Sequence, residues 1–190
     1  MLDLEDRDGV AVIHLRGHGH NQLDTALLRR LAAAMDFVGA SRPVVLTGHR
    51  ATFAIGAEVT ATGELFAAQD AALTAVAAHP APVVAAVNGD AIDTGFALAA
   101  AADVRLMERG LIGTVFSPCG AAPLSAVGRE LVRAAFARCG VPTPPGAQAF
   151  TAAEAEAAGF VECPRRLTHL LDEAVQQARA ADSRKVAYAF

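Results

Sequence analysis

The sequence predicts an α/β fold in which parallel strands are covered by helices. Short apolar runs without alternation recur along the chain, as strands buried on both faces require. Segments with apolar residues at helical spacing lie between them, so strand and helix follow one another in order. Gly, Pro and Asn stand at the junctions.

The opening is expected as strand through Gly9-Val10-Ala11-Val12-Ile13-His14-Leu15, with charge before it and Gly17 and Gly19 after. Leu23, Leu27, Leu28, Leu31 and Met35 then recur at helical spacing, with Asp24 or Asn21 as the N-cap. Arg42-Pro43 restarts the chain into Val44-Val45-Leu46-Thr47-Gly48, a short strand expected to be buried on both faces. A Gly- and Ala-rich loop leads to an Ala-rich helix from about Glu64 to Ala78. Pro80 and Pro82 restrict the backbone before the next strand, Val83 to Val87. Asn88-Gly89 turns the chain, Gly95 to Ala102 is expected as helix, and Val104 to Met107 as strand. From Ser125 onward the chain is expected to be mostly helical, interrupted at Val141 to Pro145.

Composition removes several function classes. With 53% hydrophobic and 19% charged residues the chain is not intrinsically disordered. No apolar run approaches the ~18–20 residues of a membrane-spanning helix. A net charge of −4 with no basic run argues against a nucleic-acid or anionic-membrane surface. The acidic N-terminus does not fit a secretory leader. Cys119, Cys139 and Cys163 are odd in number and form no CxxC pattern, which suits a reducing compartment. A cytoplasmic globular protein without nucleic-acid or membrane partners is expected.

Two segments are candidates for chemistry, because each ends a buried strand in a loop of small residues. One is Val44 to Gly48 followed by Phe53-Ala54-Ile55-Gly56-Ala57-Glu58; the other is Pro82 to Gly89 followed by Ala91-Ile92-Asp93-Thr94-Gly95-Phe96. A tight loop at a strand end lets a backbone N–H point into a cleft, and a helix N-terminus behind it adds positive potential. Two such N–H groups converging on one point make an oxyanion hole. Two ordinary turns between strand and helix would look the same in sequence.

These segments resemble the crotonase superfamily, the enoyl-CoA hydratase/isomerase family. Leu15 to Asn21 is similar to the family's first loop, with Asn21 in register. Ala152-Ala153-Glu154-Ala155-Glu156-Ala157-Ala158-Gly159-Phe160-Val161 is similar to its downstream motif. The resemblance implies a spiral of ββα repeats with a shortened helical C-terminal region: one domain over residues 1–190, with the spiral core in 1–120 and the helical part in 121–190. It implies binding of acyl-CoA thioesters, coenzyme A entering as part of the substrate, with no permanently bound cofactor and no metal. Homo-oligomers, trimers in the family, are implied as well. Carried over by position, the oxyanion amides fall on Ala57 and Thr94. The adenine-binding backbone falls on His18, Gly19 and His20 with Ile55 nearby, and Arg16 is a candidate phosphate contact.

Departures from the pattern bear directly on the reaction. The family's two catalytic glutamates correspond to Ala97 and Phe116, neither of which moves a proton, so decarboxylase- or isomerase-type chemistry fits better than hydration. A catalytically silent acyl-CoA-binding or partner subunit is the alternative. Asp93 replaces a glycine and has two roles open to it. One is N-cap of the helix from Gly95; the other is a relocated acid or base with a pKa raised by burial. Glu58 is read as a helix cap. His18 with His20, Ser117, Cys119, His79, His169, Glu64 and Asp70 are weaker candidates, each equally explained as loop, packing or solvated helix face. After Val161 only about a helix and a tail remain, Leu167 to Phe190. In the family, helices beyond this point build the trimer and close the acyl pocket, so the resemblance leaves both the trimer and the pocket wall in question.

Overall fold

The apolar runs form the central strands of one sheet, and the reason they do not alternate is visible on its two faces. The computed structural model describes residues 1–56, 63–115, 124–140, 148–164 and 169–187, with side chains through 182. β1 (Leu2–Arg7), β2 (Val10–Leu15), β3 (Val44–Thr47), β5 (Val83–Val87) and β7 (Val104–Met107) form a five-stranded sheet in that order. β1 is antiparallel to β2, and the remaining pairs are parallel. Val10, Val12, Val45, Val84, Ala86 and Leu106 face the helix α6 (Leu170–Ala187), against Leu170, Ala174, Val175 and Ala178. Their neighbours in sequence, Ala11, Ile13, Val44, Leu46, Val83, Ala85 and Val87, face the opposite way into the larger core. Side chains alternate across a strand, so a sheet covered on both faces needs apolar residues at every position.

Three very short strands form a second sheet that the periodicity does not reveal. β4 (Thr52–Ala54), β6 (Asp90–Ile92) and β8 (Leu111–Gly113) pair in parallel, and β9 (Ala149–Thr151) joins β8 antiparallel. Each follows a central strand after a tight turn: β3 leads to β4, β5 to β6, and β7 to β8. The turns stack on one another. Asn88 accepts from the Gly48 amide at 3.0 Å and donates to Arg50 O at 2.8 Å, and Asp90 accepts from the Leu111 amide at 2.8 Å. Repetition of strand, turn, short strand and helix is what advances the chain as a spiral.

Helices α1 (Thr25–Val38), α2 (Gly63–Ala77), α3 (Thr94–Ala101) and α4 (Ala126–Arg138) enclose the larger core. Asp24 caps α1, its carboxylate accepting the Leu27 amide at 2.6 Å, while Leu27, Leu28, Leu31 and Met35 form the buried stripe. α3 is central: Thr94 through Ala100 are all buried, and its small residues let α2 and α4 approach from either side. The region from 121 onward also contains β9 and the short helix α5 (Ala152–Ala157), which Thr151 and Glu154 cap reciprocally. The Pro-rich segment 141–147 lies outside the described residues.

Candidate functional site

The N-terminus of α3 is held by direct backbone contact. A Cβ on Gly95 would overlap Ala54 O, so the first turn of α3 rests on the end of β4 with no side chain between them. Ala97 N donates to Asp93 O at 3.0 Å, closing that turn. The amides before it, Thr94 among them, have no acceptor within the helix and form its positive end.

Asp93 is not the side-chain cap that its position suggests. Its backbone stands at φ 53°, ψ −110°, and its carboxylate makes no capping bond to α3. Capping requires an extended backbone that aims the side chain along the helix axis, and this conformation aims it elsewhere. Oδ1 accepts from the Val115 amide at 3.3 Å, just past β8. A Cβ on Gly56, just past β4, would lie 2.9 Å from Asp93 Cβ and 3.2 Å from Oδ2. The carboxyl thus occupies the junction of the three short strands, and the residue is only 7% exposed. Burial raises its pKa, opposed by the Val115 hydrogen bond. Left-handed backbone at a non-glycine residue costs about 1–3 kcal/mol and tends to persist at functional sites.

Thr94 is fully buried, and its hydroxyl has no hydrogen-bond partner among the described residues. Ala57, the other expected oxyanion residue, lies outside the described residues, as do Glu58, Phe116, Ser117 and Cys119. Ala97 is fully buried, and a Cβ on Gly128 of α4 would lie 3.4 Å from its methyl. The first glutamate position is therefore a packed helix contact. Glu64 pairs with Arg29 on an exposed face, at 2.5 Å, and Asp70 is half-buried. His79 bonds Arg42 O at 2.9 Å, and His169 is exposed just before α6 rather than within it.

The residues expected around coenzyme A adenine form one loop. His18 accepts the Gln22 amide at 2.9 Å, closing a turn through Gly19 and His20. Ile55 N donates to Asn21 O at 3.2 Å and Leu23 N to Ile55 O at 3.3 Å, which ties the loop to the end of β4. His18 is exposed, with its ring 3.6 Å from Asp24. Arg16 is ion-paired with Asp3 at 2.6 Å, so a phosphate there would compete with that carboxylate.

Asn21 holds this loop. It is 5% exposed with φ 62°; its Oδ1 accepts the Gly17 amide at 2.6 Å, and Nδ2 donates to Phe53 O at 2.6 Å and Thr52 O at 3.3 Å. Asn tolerates this conformation, and its amide supplies both donor and acceptor. Asn21→Ala leaves buried partners unsatisfied and is expected to destabilise the fold by about 2–4 kcal/mol in denaturant unfolding. The same variant should weaken calorimetric binding of coenzyme A, because the loop loses its anchor.

Gln69 is a buried polar residue that the helical spacing of α2 does contain. It interrupts the stripe of Leu65, Ala68, Ala72, Leu73 and Val76. Its Oε1 accepts the Ser125 amide at 3.1 Å, and Ser125 Oγ caps α4 at the Gly128 amide, 3.0 Å away.

The family model for enoyl-CoA hydratase/isomerase matches residues 5–189, so the chain belongs to that family, and its spiral of ββα repeats is the crotonase fold. It is 35% identical over 115 residues to the probable enoyl-CoA hydratase echA6 of Mycobacterium bovis, a match covering 56% of this chain and 46% of that protein. The chain thus spans about half the length of the curated relatives it matches. Among solved structures it is similar to an enoyl-CoA hydratase from Mycobacterium avium subsp. paratuberculosis, with 27% identity and a TM-score of 0.73, covering 98% of this chain and 85% of that one. A monofunctional enoyl-CoA isomerase from M. smegmatis is 28% identical with a TM-score of 0.73, covering 95% and 83%. No helix among the described residues is long and apolar enough to cross a membrane.

Proposed function

We propose that this protein acts on acyl-CoA thioesters by holding the thioester oxygen at the N-terminus of α3 and protonating the resulting enolate from Asp93. The observation that carries this reading is the Asp93 carboxyl, buried beside Thr94 and wedged against Gly56 and the Val115 amide. The Thr94 amide, with that of Ala57, is the donor pair for the developing oxyanion. Coenzyme A enters with the substrate, its adenine against the His18–His20 loop and Ile55, and its phosphates compete with Asp3 for Arg16.

Decarboxylation of a malonyl-type thioester suits these groups best. Cleavage of the C2–C3 bond leaves its electron pair on C2, delocalised onto the thioester oxygen as an enolate, and releases CO2. The enolate then takes a proton at C2 from the Asp93 carboxylic acid, which water re-protonates. No base is needed to start, and the raised pKa of Asp93 favours the protonated form that this step uses. An isomerase would use the same carboxyl to move a proton along the acyl chain. Hydration is disfavoured because Ala97 fills the first glutamate position with a packed methyl.

Calorimetric titration with coenzyme A, acetyl-CoA, malonyl-CoA and crotonyl-CoA, followed by mass spectrometry, tests the reading. Binding with loss of CO2 from malonyl-CoA is expected. Binding without any turnover would make the protein a silent acyl-CoA binder, and absence of binding would overturn the site.

A further inference from the structure

Gln69 and Thr94 are each fully buried, and each carries a polar atom without a partner among the described residues: Gln69 Nε2 and Thr94 Oγ1. A buried polar group left unpaired costs about 1–3 kcal/mol, so two on neighbouring helices call for an occupant. The Ser125 amide fixes the orientation of the Gln69 carboxamide, because only its oxygen accepts. Nε2, with two N–H donors, is the end that remains.

Topology places the two groups on adjoining helices. α2 and α3 follow β4 and β6, which pair in parallel, and the helices pack side by side. Gln69 binds Ser125 at the start of α4, Gly128 packs on Ala97, and Thr94 lies one turn before Ala97 on the same face of α3. Thr94 opens α3 and Ser125 caps α4, and the positive end of a helix favours an electron-rich oxygen.

We propose that the acyl site recognises a carbonyl oxygen at C3, and that Gln69 Nε2 and the Thr94 hydroxyl donate hydrogen bonds to it. The substrate class is then a 3-oxoacyl- or malonyl-type (2-carboxyacyl-) CoA. In such a compound the two carbonyl oxygens can lie side by side, as the amide and hydroxyl of one threonine do. The Thr94 N–H takes the thioester oxygen and Oγ1 the second. This rests on the thioester reading above and narrows it to acyl groups with an acceptor at C3.

Calorimetry with acetoacetyl-CoA, malonyl-CoA and butyryl-CoA tests it directly, since butyryl matches acetoacetyl in length and lacks only the oxygen. The wild type should bind both C3-carbonyl compounds roughly tenfold or more tightly than butyryl-CoA. Gln69→Glu keeps an oxygen for the Ser125 amide and turns the donor into an acceptor. It should abolish the preference, most completely for malonyl-CoA. Thr94→Val, which keeps the backbone amide, should reduce the preference. Equal affinities in the wild type, or a preference that survives both substitutions, would overturn the proposal while butyryl-CoA binding left the thioester reading standing. Failure of all three compounds to bind would overturn both.

Discussion

Asp93→Asn is expected to lower turnover by about a hundredfold or more while raising the stability of the fold at neutral pH. The first effect follows from removing the only described carboxyl at the α3 N-terminus, since a positioned proton donor contributes roughly 10²–10⁴ in rate. The second follows from the environment of the same group. Burial raises the Asp93 pKa above that of an unfolded aspartate, so over the interval between the two values the folded chain holds a proton that the unfolded chain has released. Rising pH then favours unfolding across that interval, and above the folded pKa the full cost of the buried charge is present. Below the unfolded value both states are protonated and the cost vanishes. Asparagine keeps the shape and carries no charge, so the stability gain of the variant should be least in acid and grow as pH rises through the folded pKa. Thermal unfolding at a series of pH values reads this directly; a pH-independent difference would mean that the carboxyl is not desolvated. Wild-type turnover should fall over the range in which Asp93 loses its proton, and opposite signs for rate and stability are characteristic of a residue kept for function.

How much of this was legible in the sequence depends on element length. Val44 to Leu46 and Val83 to Val87 are visible as continuous apolar runs because α6 and the larger core bury both faces of their sheet. Val104 to Met107 is interrupted by Arg105, which is buried and donates to Phe160 O and Ala102 O. β4, β6 and β8 span three residues each, too few for a period, and only the family resemblance implied a second strand in each repeat. β1 does alternate, Leu2 and Leu4 against Asp3 and Glu5, but its acidic composition masked it. At the site, the sequence placed Asp93 beside Thr94 and could not give its backbone. An aspartate before a helix suggests a cap, and the positive φ sends its carboxyl to the Val115 amide instead. Asn21 is placed by register, although two of its three hydrogen bonds depend on carbonyls in β4 far along the chain. Gln69 had a readable signal, a lone amide within an apolar stripe, which helical spacing alone would assign to the core.

Gly95→Ala should disrupt the site through its scaffold. The Cβ would overlap Ala54 O, a backbone atom of β4 fixed in the short-strand sheet. A flexible side chain could turn away, and a carbonyl paired in a sheet cannot. α3 must therefore lift from β4, and α3 is buried along almost its whole length between α2 and α4. The cost belongs at the upper end of the ~1–3 kcal/mol typical of overpacking, enough to lower the melting temperature by roughly 6–12 °C in a chain of this size. Any variant that remains folded should also lose thioester binding, because the Thr94 amide moves with the helix. Gly63→Ala is the matched control: no atom lies within 4 Å of its added Cβ, at the first residue of α2. It should melt within ~0.5 kcal/mol of the wild type, as surface substitutions do. If Gly95→Ala matched that control in stability and binding, the contact between α3 and β4 would not be what positions the oxyanion amide.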